Sequence, residues 1–121
     1  MKPQDIGNRN QTAANITKQS LSESRKHLLE LMQELNFGRI EGLAVQDGEP
    51  VFAPAPHIIR EVKFGGENGP RRELEVNDFA LKSQVVELFT HLTDLGSGMV
   101  ECLEVKHGLP FRMNLVEAVR A

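Results

Sequence analysis

GRIEGLAVQDGEPVF (38–52) and GMVECLEVKHGLPFR (98–112) lie sixty positions apart and read as one segment written twice. Six of the fifteen positions are identical: Gly38/Gly98, Glu41/Glu101, Leu43/Leu103, Val45/Val105, Gly48/Gly108 and Pro50/Pro110. Ile40/Val100 is a conservative pair. Working outward, the apolar-periodic stretches LLELMQEL (28–35) and VVELFTHL (85–92) also match once a three-residue loop difference is allowed. Self-similarity at a fixed period marks a supersecondary unit used more than once. Two copies are too few for a solenoid, so the expectation is one compact domain with a pseudo-two-fold axis.

Each copy is an α-β-β unit. Ser20-Leu21-Ser22-Glu23 has the form of a capping box, and Leu21, Leu28, Leu31, Met32 and Leu35 recur at helical spacing, predicting a helix over about 21–35. Asn77 reads as the N-cap of the second helix, with Asp78 at its positive end and Val76 and Leu81 as a staple. Leu81, Val85, Leu88, Phe89 and Leu92 supply its buried stripe, and Gly96 stops it. Asp47-Gly48 and His107-Gly108 suit tight hairpin turns, with arms of about 98–106 and 109–117 in the second copy. In the first copy Ala53-Pro54-Ala55-Pro56 breaks the return arm before HIIREVKF (57–64). Two prolines cannot donate to a ladder, so that arm belongs at an edge or carries a bulge. A short extra strand is expected near 73–76. The fold class is therefore α+β: a four-stranded antiparallel sheet with both helices on one face.

The chain has 121 residues, 40% of them apolar, enough for one core and too few for two. Residues 1–19 are rich in Asn, Gln and Thr with no apolar period and read as a disordered tail, leaving a single domain over 20–121 with halves at about 20–64 and 77–119. The net charge is −3. Lys2, Arg9 and Lys18 against Asp5 make residues 1–20 positive by two, leaving −5 for the body, a poor generic nucleic-acid surface. There is no run long enough to cross a bilayer and no signal-peptide core, so a cytoplasmic protein is expected. The single Cys102 fits. The sequons at Asn10 and Asn15 then carry no glycan.

Four features bear on chemistry. Glu41 and Glu101 share strand parity with the core residues Leu43 and Leu103, and lean inward unless a bulge intervenes. Paired carboxylates near a two-fold axis suit a divalent cation, or divided acid and base roles; the alternative is a pair at the sheet rim, with Arg39 or another base as counter-ion. The segment Gly65-Gly66-Glu67-Asn68-Gly69-Pro70-Arg71-Arg72, preceded by Arg60 and Lys63, combines glycines able to form an anion nest with a basic cluster. Its alternative is a solvated linker. It has neither a Walker ending nor a dinucleotide fingerprint, and no cofactor is implied. His27, His57, His91, His107 and Cys102 show no metal-ligand spacing, and Cys102 inside a β-prone run reads as a small core hydrophobe. The face bearing Glu104, Lys106, Arg112 and Asn114 is mixed in charge and, without Trp or Tyr, lacks most base-stacking aromatics.

The order α-β-β-α-β-β resembles that of the LAGLIDADG homing endonucleases, which place acidic residues near a pseudo-two-fold axis. LLELMQELNFG and VVELFTHLTDLG, however, carry bulky residues where that family's helix has small ones, and they lack its Asp-Gly ending. No functional residue is carried across. The leading expectation is a non-enzymatic binding or regulatory module recognising an anionic partner, protein or nucleic acid, through Arg60, Lys63, Gly65, Gly66, Gly69, Arg71 and Arg72. The alternatives are a small metal-assisted enzyme using Glu41 and Glu101, and a homodimer whose role is assembly alone.

Overall fold

A computed structural model describes residues 16–66, 68–70 and 81–117. The elements run α1 (Glu23–Leu35), β1 (Gly38–Gln46), β2 (Glu49–Val51), β3 (His57–Arg60), α2 (Ser83–Leu95), β4 (Gly98–Lys106) and β5 (Leu109–Val116), preceded by a 3-10 turn at Lys18–Ser20. The five strands among the described residues join one antiparallel sheet in the order β2-β1-β4-β5, and β3 shares with β2 the outer edge of β1. The expectation of four strands fails at Ala53–Pro56, where the prolines interrupt the ladder and divide one return arm into β2 and β3.

The two halves agree in detail. Both helices have 13 residues and both first strands nine. Two residues separate each helix from a strand-opening glycine, so the expected three-residue loop difference is absent. Leu28, Leu29 and Met32 stand in α1 where Leu88, Phe89 and Leu92 stand in α2, all buried at the same sixty-residue offset. The sequence match at 28–35 and 85–92 slid one helical turn out of this register because i, i+3 and i+4 apolar patterns overlap with themselves.

Ser22 is the N-cap of α1, its hydroxyl accepting from the Arg25 amide; the capping box Thr17/Ser20 belongs to the preceding 3-10 turn. Of the tail expected over 1–19, residues 1–15 lie outside the described residues. Lys18 is buried and pairs with Glu30 at 2.9 Å. α2 begins at Ser83 with Lys82 as its N-cap, later than expected, and Val76, Asn77, Asp78 and the strand expected at 73–76 lie outside the described residues.

One core holds the layers together. Leu28, Leu29, Met32 and Leu35 of α1 and Val85, Leu88, Phe89 and Leu92 of α2 pack on Ile40, Leu43 and Val45 of β1 and Val100, Leu103 and Val105 of β4. Each strand has three consecutive-core positions spaced 3 and then 2 apart, so strict alternation breaks once in each. The break in β1 falls at Gly42, whose φ of 74° is a left-handed conformation suited to glycine. That in β4 coincides with the register shift between Val100 and Cys102.

Both hairpin turns have positive φ at their two central residues, Asp47 and Gly48 in one and His107 and Gly108 in the other, the type I′ geometry that matches strand twist. The tips then reach across. The Gly48 amide donates to the Gly96 carbonyl at 2.7 Å, and the Gly108 amide to the Asn36 carbonyl at 2.9 Å, so each hairpin caps the helix of the other half.

A polar cluster fixes α1 to the first hairpin. Glu49 Oε1 accepts from the Ser22 and Ser24 hydroxyls, while Arg25 donates to the Gly48 carbonyl at 2.9 Å and to Thr93 at 2.8 Å. Partial burial pushes the Glu49 carboxyl up, but the two hydroxyls and the Arg25 charge outweigh it and hold the group below its ordinary value of 4.5. A depressed folded-state value stabilises above the unfolded one, and that contribution is lost as pH falls through the folded value. Stability should therefore decline below about pH 4.5 in the parent, and Glu49→Gln should flatten that decline in denaturant titrations between pH 5 and 2. An unchanged slope would mean that other carboxylates carry the acid sensitivity.

Candidate functional site

Antiparallel pairing of β1 with β4 sets the start of one against the end of the other, Gly38 opposite Val105 and Arg39 opposite Glu104. β3 runs alongside, with Arg60 opposite Gly38. These strand ends frame a depression of about 420 Å³ lined by Arg39, Arg60 and Lys106 together with Glu61 and Glu104. The loop after β3 folds over the same end: Lys63 Nζ stands 5.0 Å from the Phe37 ring centre, and that ring meets His107 edge-on at 4.8 Å.

The loop itself is held by side chains. Asn68 accepts from the Lys63 amide at 3.0 Å and donates to the Lys63 carbonyl at 3.1 Å, closing a turn in which Gly65 has φ 82°. Asn36 donates to the Gly69 carbonyl at 2.9 Å and ties the loop to the end of α1. Arg60 donates to the Leu35 carbonyl at 3.1 Å, so part of its charge serves the negative end of that helix. Gly66 closes the turn through its amide to the Lys63 carbonyl at 3.2 Å. Of the residues singled out in the sequence, Arg60, Lys63, Gly65, Gly66 and Gly69 thus share one end of the sheet, while Arg71 and Arg72 lie outside the described residues. Sequence reasoning missed that Arg39 and Lys106 join them. The signal was available in the repeat, since antiparallel pairing of its two first strands sets residue 39 near residues 104–106.

Glu41 and Glu101 lie on neighbouring central strands, but neither points into the core. Glu41 is opposite Cys102 and accepts from Arg39 Nε at 3.0 Å; Glu101 is exposed. The inward lean expected from alternation fails because the left-handed Gly42 in β1 and the register shift at Glu101 in β4 reset the parity on each strand. Among the described residues no three His, Cys, Asp or Glu side chains gather as a metal site. Burial, then the Glu41 and Glu104 carboxylates, push the Cys102 thiol up, which disfavours the thiolate.

The sheet face away from the helices is ordered in rows. Ile59, Arg39, Glu104 and Arg112 form one, His57, Glu41, Cys102 and Asn114 the next, and Val51, Ala44, Met99 and Val116 a third. In the first, Arg112 Nε lies 3.4 Å from Glu104, and alternating signs make the row a solvated charge ladder. No protein-family model, curated protein or solved structure matches the chain. Among the described residues no helix is long and apolar enough to cross a membrane.

Proposed function

We propose that the protein is a non-enzymatic binding module that docks an acidic protein segment at the sheet end framed by Arg39, Arg60, Lys63 and Lys106. The observation that carries this reading is the depression itself, where cations from β1, β3 and β4 converge in a chain of net charge −3. The interspersed Glu61 and Glu104 favour a partner with carboxylates at defined positions over a uniform polyanion.

Poly-L-glutamate and duplex DNA, each titrated at two ionic strengths, discriminate the partners. Poly-L-glutamate should bind more tightly, and Arg39→Ser/Lys106→Ser should weaken it and reduce the dependence on salt, because fewer counterions are displaced. Equal affinity and equal salt slope for parent and variant would remove the depression from consideration. The metal-assisted reading on Glu41 and Glu101 has less behind it, since Arg39 already satisfies Glu41.

The chain is further read as a duplicated α-β-β unit about a pseudo-two-fold axis. The β1–β4 register supports this, because Gly38↔Val105 becomes Val45↔Gly98, and Ile40↔Leu103 becomes Leu43↔Val100, when the halves are exchanged. The crossed caps from Gly48 and Gly108 transform into one another in the same way.

A further inference from the structure

Phe64 stands 98% exposed at the tip of the loop after β3. The Gly66 amide donates to the Lys63 carbonyl at 3.2 Å, which makes residues 63–66 a tight turn with Phe64 and Gly65 at its centre. Gly65 supplies the positive φ that a type II turn needs at its third position. Asn68 braces both sides, reaching the Gly66 carbonyl at 3.4 Å as well as the Lys63 backbone. The base of the loop is pinned by Lys63 over the Phe37 ring and by Asn36 on Gly69. A braced turn thus projects an aromatic ring into water, where it packs nothing in the single chain. Nor is the ring isolated. Among the described residues three of the six exposed large apolar side chains, Ile58, Val62 and Phe64, fall in this one segment, interleaved with Arg60 and Lys63. Apolar surface is therefore concentrated where the cations are. Phe64 follows Glu61 by three residues, so the tip lies within about 11 Å of the wall of the basic depression.

We propose that Phe64 is the apolar anchor of the docking site, and that its ligand is an acidic segment carrying a bulky apolar side chain beside its carboxylates. This rests on the docking reading above and adds the second half of the ligand's chemistry. Burial of the ring supplies affinity that salt does not screen, and an aromatic on a braced backbone loses little freedom on binding. An anionic bilayer is the other surface that takes an aromatic beside cations. Charge decides against it. Glu61 and Glu104 sit among the cations and the chain carries −3, so a uniformly negative plane meets repulsion that one segment avoids by setting its carboxylates between them.

Two end-labelled peptides test this by fluorescence anisotropy with the full chain at low ionic strength: five glutamates, a glycine and five glutamates, and the same peptide with phenylalanine in the central place. Their charge is equal. The parent should bind the phenylalanine peptide about fivefold or more tightly than the glycine peptide, as expected for partial burial of one ring. Phe64→Ser should abolish that preference and leave the affinity for the glycine peptide unchanged, while Phe64→Leu keeps most of it. A side chain this exposed can be replaced without unfolding the domain. Equal binding of both peptides by the parent, or a preference that survives in Phe64→Ser, overturns the proposal and leaves the docking reading standing. Failure of both peptides to bind overturns the two together. Phe64-dependent binding to vesicles of phosphatidylcholine and phosphatidylserine, without a preference between the peptides, overturns the proposal in favour of a bilayer.

Discussion

Leu43→Ala and Leu103→Ala are each expected to lower the unfolding free energy by about 2–5 kcal/mol, read from denaturant midpoints. Both side chains are fully enclosed, at 0% and 1% exposure, beneath the two helices. Truncation removes the transfer free energy of the lost carbons and leaves a cavity that walls from two helices and two strands cannot all collapse to fill. Such a loss is a large part of the stability of a domain this size. The two variants should cost similar amounts, because the side chains occupy matching places in the strands. Midpoints that barely move for either would show that these strands do not carry the core.

Gly38→Ala should be the costliest of the glycine replacements. Its φ is 154°, and an added Cβ would collide with the Ile59 carbonyl on β3 while also meeting the Leu35 side chain. Backbone cannot yield as a flexible side chain does, so either β3 leaves the edge of β1 or β1 deforms, at about 1–3 kcal/mol or more. Gly98→Ala offers the control. There the nearest atom is the Val116 carbonyl at 3.0 Å, with no left-handed φ to hold, so the cost should be smaller. Equal shifts in urea midpoint for the two would mean that β3 contributes nothing to the packing around Gly38.

The elements legible in the sequence were those fixed by short-range chemistry. Asp47-Gly48 and His107-Gly108 announce their turns because few residue pairs accept two positive φ values in succession. The prolines at 54 and 56 likewise forecast an interrupted edge, although not that two separate strands would result. Strand faces were harder to read. Leu43 and Leu103 were correctly placed inside, but one break in alternation in each strand, at Gly42 and at Glu101, reversed the expected direction of Glu41 and Glu101. Gly42 alone in a strand was the clue to the first; Glu101-Cys102 offers no equivalent. For the candidate site, Arg60 and Lys63 stood out by proximity in sequence, whereas Arg39 and Lys106 join them only through the register of β1 against β4. The part of Arg60 in capping α1 is likewise a long-range contact that no local pattern encodes.

The crossed caps have a consequence for how the chain comes apart. When the end of α1 frays, the Gly108 amide loses its acceptor and the second hairpin is loosened at its tip; when α2 frays, the first hairpin is loosened through Gly48. Damage in either half is thereby passed to the other at its most local step. A partly opened molecule with one half intact still leaves that half with an uncapped helix and an unanchored turn. The intermediate a modular chain would populate is penalised from both sides, and opening becomes a concerted event of the whole domain.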